Sequence, residues 1–118
     1  QEIFKEALAM QEEPTTWRHA LHQMPELSLD LPKTSAFVQT RLAEMDVPFH
    51  TIVNGNGVVA QLGEGEPCLL LRADMDALPV AETSGVDFAS TNGCMHACGH
   101  DMHTTSLLGA AKLSSVEQ

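Results

Sequence analysis

The densest chemistry in the chain lies between Met95 and His103. Within eight positions stand His96, Cys98, His100, Asp101 and His103. Imidazole and thiolate are the ligands that Zn²⁺ and similar divalent ions favour, and carboxylates complete harder sites. Cys98 and His100 are two apart. On a helix that spacing divides them between faces, whereas in an extended segment both side chains point the same way. Gly99 between them has no side chain to crowd an ion. His100 and His103 could share a face only if a helix has begun there. No Cys-x-x-Cys knuckle is present, so a zinc finger is not indicated.

Asp74-x-Asp76 is the second signal. It follows the apolar run Cys68-Leu69-Leu70-Leu71, and open α/β sheets place their sites at the carboxyl ends of strands. In extended chain both carboxylates could face one pocket, as ligands, as support for a ligating His or as positioners of water. Plainer readings stand beside these. A lone histidine is most often structural or solvent-facing, and Asp74 and Asp76 could be solvated turn carboxylates. Arg72 could pair with either of them at the strand end. Cys94 and Cys98 could form a redox pair, but one cysteine is left over, so Cys94 is read as a bystander and Cys68 as a core residue. His19 and His22 read as ordinary surface positions of the first helix, and Glu26 as a cap or a bridge to a basic side chain.

The elements that must hold these groups follow from periodicity. Residues 1–23 are helical in pattern, with Ile3, Ala7, Leu8 and Met10 and then Trp17, Leu21 and Met24 at helical spacing. Pro14 fits a kink or the first turn of a new helix. A loop with Pro25 and Pro32 precedes a second helix, for which Thr34 is a cap and Phe37, Val38, Leu42 and Met45 form one face. Strands are predicted over 48–53 and 57–62 around the Asn54-Gly55-Asn56-Gly57 turn signal. A third, buried on both faces, is predicted over 68–71. Residues 77–95 are turn-rich. A last helix is predicted over 101–113, stopping at Ser114. The expected class is α/β: a mixed sheet flanked by helices, the whole of 1–118 being part of a larger catalytic domain.

Composition narrows the partners. The chain has 118 residues, room for one domain of the usual roughly 100–150 residues. Six Lys and Arg stand against 16 Asp and Glu, a formal net charge of -10. Nucleic acid and anionic membrane both call for a basic face, so neither is an expected partner. No apolar run approaches the roughly 20 residues of a membrane-spanning helix. No leader pattern follows Gln1, and the three cysteines lack the spacing of a secreted scaffold. The expected setting is reducing and cytoplasmic.

The motifs resemble a known family. Arg18-His19-Ala20-Leu21-His22-Gln23-Met24-Pro25-Glu26-Leu27-Ser28, Leu71-Arg72-Ala73-Asp74-Met75-Asp76-Ala77-Leu78-Pro79 and Met95 to His103 are similar, in order and spacing, to three blocks of the metal-dependent N-acyl-amino-acid amidohydrolases. That group includes hippurate hydrolases, aminoacylase-like enzymes and auxin-conjugate hydrolases, and belongs with the di-metal aminopeptidases and carboxypeptidases. The resemblance implies the N-terminal part of a di-metal exopeptidase-like catalytic domain. It implies Cys98 and His100 as metal ligands, Asp76 in a supporting role beside the site, and two divalent ions per full-length subunit (Zn²⁺, Mn²⁺, Co²⁺ or Ni²⁺). The implied substrate is a small N-acyl amino acid or dipeptide-like amide. The family's remaining ligands, its Glu general base and the lid domain through which it dimerises have no counterpart in these residues, so the piece by itself is expected to be inactive. Two departures are Asp46, where the family has Gly after the second helix, and Leu31-Pro32 in place of a polar pair. A non-catalytic metal-binding or interaction module that keeps the motif is the competing reading.

Overall fold

A computed structural model describes residues 2–116. The first helical pattern resolves into two helices, α1 (Glu2–Ala9) and α2 (Glu12–His22), which break at Met10 and Gln11 rather than at Pro14. Pro14 sits in the first turn of α2, where its missing N–H has no helical acceptor to lose. α2 buries Trp17 and Leu21, one turn apart, and also His22. The reading of His22 as a surface residue is therefore corrected: it is 3 % exposed, on the flank of the Trp17–Leu21 stripe.

Helix α3 (Pro32–Glu44) begins two residues before the expected cap. Thr34 does not cap it. The Glu26 carboxylate does, accepting the backbone N–H groups of Lys33 at 3.1 Å and Thr34 at 2.7 Å, two of the amides that a helix start leaves without partners. α3 ends in a Schellman arrangement, with the Asp46 N–H donating to the Ala43 carbonyl and the Val47 N–H to the Leu42 carbonyl, each at 3.1 Å. Val47 and Leu42 are both buried in the same apolar cluster.

Strands β1 (Phe49–Ile52) and β2 (Gly57–Ala60) form the expected antiparallel hairpin, paired from Phe49 with Ala60 to Ile52 with Gly57. Its four-residue turn docks on the start of α3. Asn56 Oδ1 accepts the Leu31 N–H at 2.8 Å, and the Gly55 carbonyl accepts the Ser35 hydroxyl. The core gathers Trp17, Val38, Leu42, Val47 and Leu108, with Phe37, Met45, Phe49 and Val58 around them.

The third strand is not formed. Residues 68–71 have no ladder partner among the described residues, and Leu69, Leu70 and Leu71 are 82 %, 81 % and 60 % exposed. Cys68 is exposed too, not a core residue. A run of β-forming residues becomes a strand only when another strand meets its N–H and C=O groups, and none here does. In place of a buried strand, single bridges join Leu27 in parallel to Ala77 and Leu78 in antiparallel to Met95. This short mixed ladder brings the segment after Asp76 beside the segment before His96.

Helix α4 (His100–Val116) starts one residue earlier than predicted and continues through Ser114 and Ser115; the Ser115 hydroxyl donates to the Lys112 carbonyl. Glu117 and Gln118, expected beyond the helix, lie outside the described residues. α4 packs against α1, α2 and α3.

Asp46 has φ +58°, in the left-handed region where a side chain costs energy and glycine does not. Asp46→Gly should therefore raise stability by about 0.5–1 kcal/mol. Urea denaturation of the two proteins checks this, and an unchanged or lower midpoint would contradict it.

Candidate metal centre

The segment ahead of α4 ends in Gly99 at φ +95°. A Cβ there would meet no protein atom within 4 Å. Among the protein's own atoms, then, glycine is required for its backbone conformation rather than for space. The Gly99 carbonyl accepts the N–H groups of Met102 at 3.0 Å and His103 at 3.1 Å, opening the first turn of α4. His100 and His103 thus lie on one helical turn, with ring centres 5.8 Å apart.

His100 turns to the ladder. Its Nδ1 lies 2.9 Å from the Asp76 carbonyl and 3.0 Å from Asp76 Oδ1. Both neighbours are acceptors, so Nδ1 carries the proton and donates, which leaves the lone pair of Nε2 for a ligand. Asp74 goes elsewhere: its carboxylate pairs with Arg72, and its carbonyl accepts the Thr104 hydroxyl at 3.0 Å. Of the two carboxylates, only Asp76 supports His100. The plain salt-bridge reading of Arg72 holds. Cys98 is exposed with a free thiol, and no disulfide joins it to Cys94.

Asp101 points away from His100, as consecutive helical residues must, about 100° apart. Its Oδ2 accepts Arg18 Nε–H at 3.0 Å and His22 Nδ1–H at 2.8 Å, and its Oδ1 accepts the Met102 N–H. His22 Nε2 meets both oxygens of Glu82, at 3.0 and 2.9 Å. Glu82 also accepts the Ser90 N–H at 2.7 Å and the Ser84 hydroxyl. Phe88 closes the cluster, its ring stacked 3.8 Å from His19 and edge-on to His22. His96, 5 % exposed, lies 6.5 Å from His22 between ring centres, and neither of its ring nitrogens has a hydrogen-bond partner among the described residues. Burial pushes the His96 imidazole below its usual range, toward the neutral form.

Sequence reasoning missed Arg18, His22, Glu82 and Phe88. Arg18 and His22 had a usable signal, the i, i+4 spacing beside the Trp17–Leu21 stripe. Glu82 and Phe88 had none, because they lie in an irregular loop and their partners on α2 are about 60 residues or more away.

Known proteins are similar to this chain in sequence and in fold. A model of Peptidase family M20/M25/M40 matches residues 70–116. N-acetyl-L-cysteine deacetylase of Bacillus subtilis is 47% identical over 104 residues, covering 86% of this chain and 25% of the relative. N-acyl-L-amino acid amidohydrolase of Geobacillus stearothermophilus is 46% identical over 105 residues, covering 84% and 28%. The solved YXEP protein of Bacillus subtilis, described as a dinuclear metal binding peptidase of family M20, superposes with TM-score 0.86 at 35% identity, over 92% of this chain and 32% of that one. The chain is thus similar, over most of its length, to part of M20-family proteins.

The fold is accordingly α/β, a portion of an M20 catalytic domain, and the chain spans only about a quarter to a third of the length of these relatives. Among the described residues, no three His, Cys, Asp or Glu side chains converge as a complete ligand set. Cys98 and His100 are nonetheless of the donor types that divalent metal ions take. One offers a free thiol, and the other a ring whose second nitrogen is already committed to a carboxylate.

The Ser84 hydroxyl, the Ser90 N–H and His22 together hold the Glu82 carboxyl at about 2, against an ordinary 4.5. Between those values the folded chain binds fewer protons than the unfolded one. The stability this group contributes is complete above about pH 4.5 and is lost as pH falls toward about 2. Denaturation midpoints across that window should fall with acid in the wild type and fall less steeply in Glu82→Gln. Parallel slopes would contradict the assignment.

Proposed function

We propose that the complete protein hydrolyses the amide bond of N-acyl amino acids of the hippurate or N-acetyl type, with Cys98 as thiolate and His100 as neutral imidazole supplying two ligands of a di-metal site. The observation that carries this reading is the Asp76–His100 contact. A carboxylate that takes the Nδ1 proton of a histidine fixes the tautomer and raises the basicity of Nε2, the arrangement found behind ligating histidines in metalloenzymes. The names of the relatives support the substrate class, since one is a deacetylase of N-acetyl-L-cysteine and another an amidohydrolase of N-acyl-L-amino acids.

Two divalent ions, Zn²⁺, Mn²⁺, Co²⁺ or Ni²⁺, would polarise the scissile carbonyl and lower the pKa of water at the site. What these residues do is prepare the ligands. Asp76 orients His100 through two acceptors. Gly99 permits the turn that leads from Cys98 to the start of α4 at His100. Asp101, held by Arg18 and His22, fixes the first turn that presents His100.

Residues 1–118 form, in this reading, the N-terminal portion of the catalytic domain. The general base, the other ligands and a lid through which subunits dimerise are assigned to further chain, in keeping with the three- to fourfold greater length of the relatives. A reducing, cytoplasmic setting, with neither nucleic acid nor membrane as partner, belongs to the same proposal.

Cys98→Ala and His100→Ala in the complete chain should each strip metal, measured by plasma emission. Asp76→Ala should weaken metal affinity by about 10–100-fold. Unchanged metal content in both ligand variants would overturn the assignment and favour an interaction module that merely keeps the motif. Residues 1–118 alone should not turn over N-acetyl or N-benzoyl amino acids.

A further inference from the structure

The His22 side chain contacts both ends of the ligand-bearing segment. Glu82 lies upstream of that segment and Asp101 just past it; Cys98 and His100 stand between them. A single imidazole on α2 meets both carboxylates, with Nδ1 2.8 Å from Asp101 Oδ2 and Nε2 2.9 Å from Glu82 Oε2. The side chains of all three are at least 97 % buried. An ionised carboxylate can only accept, so the ring satisfies both partners by carrying a proton on each nitrogen. Arg18, whose side chain is 30 % exposed, and the His22 imidazolium then balance the buried Asp101 and Glu82 carboxylates.

The other groups that face the ring are Phe88, edge-on at 5.5 Å from the loop, and His96 at 6.5 Å from the ligand segment; His19 lies on its own helix, against Phe88. None of these supplies a competing hydrogen bond to the ring among the described residues. Further hydrogen bonds reinforce the same closure. The Asn92 side chain donates to the Pro25 carbonyl at 2.9 Å, and Leu78 and Met95 exchange a pair of 2.9 Å bonds.

We infer that His22 is a positioning residue for the metal loop, closing residues 82–101 into one braced unit and thereby holding Cys98 and His100 in place before metal arrives. The inference rests on those two residues being ligands. A loop closed in advance does not have to be ordered when the ion binds, so the clamp is felt as affinity.

The test uses the complete chain and His22→Gln, which keeps a donor for one carboxylate but cannot reach both. Zn²⁺ affinity is measured by chelator competition at a temperature well below the unfolding midpoint of either protein. A purely structural His22 would lower the midpoint and leave that affinity alone. The clamp predicts metal binding weaker by about tenfold or more, the usual effect of removing support behind a ligand. A smaller change overturns it. Should His22→Gln not fold, Glu82→Gln, which removes the charge at the loop end only, is judged by the same threshold. Cys98→Ala, measured in parallel, separates the two ideas. If it binds Zn²⁺ like the wild type, the ligand assignment itself fails. If it loses Zn²⁺ while the His22 variant does not, only the clamp fails.

Discussion

Asp101 is 1 % exposed, and a carboxylate so placed stays ionised only if donors surround it. Here they do. Arg18 and His22 reach it from α2, and the Met102 amide reaches it from the first turn of its own helix, where the helix dipole also favours a negative charge. This one group therefore sets the rotation of α4 about its axis and the angle at which α4 meets α2. With Asp101 turned toward α2, His100 must face a different side, and it faces Asp76. The orientation of the candidate ligand is thus a consequence of burying its neighbour.

The same logic explains residues 18–26. Their side chains supply none of the candidate ligands, yet several of the stretch's polar groups bind the segments that carry them. Arg18 and His22 hold Asp101. The Pro25 carbonyl takes the Asn92 amide, and the Glu26 carbonyl takes the Ala77 N–H at 2.7 Å, directly after Asp76. The Glu26 carboxylate meanwhile caps α3. One short stretch therefore ties the start of α3, the Asp76 segment and the metal loop together. Replacing any of these groups by an apolar one would leave a partner unsatisfied, which commonly costs more than the bond itself contributes.

What could be read in the sequence divides along the range of the interactions. The periods of α2, α3 and α4 and the Asn-Gly turn are local, and each was legible to within a few residues. Cys98, His100 and Asp76 stood out as a pattern of ligand-type side chains, and the structure joins two of the three. His22 misled because a histidine near a helix end is usually solvated, and only the distant partners Glu82 and Asp101 reveal its burial. Thr34 misled for the opposite reason. Its type suits a cap, but a carboxylate eight residues upstream took the amides first. Asp46 is a case where the departure from glycine was noticed and its cost became visible only through the backbone, at φ +58°.

The run Cys68 to Leu71 bears on how the site is supported. A strand end was expected to present Asp74 and Asp76, but the leucines leading to them are exposed and unpaired among the described residues, so no sheet formed by those residues holds Asp76 from that side. Its position is set from the other direction. The Ala77 N–H is tied to Glu26, the Leu78 backbone to Met95, and the Asp74 carbonyl to Thr104 on α4. Three contacts from three different segments fix the carboxylate relative to His100 without any help from the leucines. The apolar surface at 69–71 is consequently independent of the Asp76–His100 pair: whatever strand covers it adds burial and closes an exposed edge, while the hydrogen bonds that aim His100 are already made.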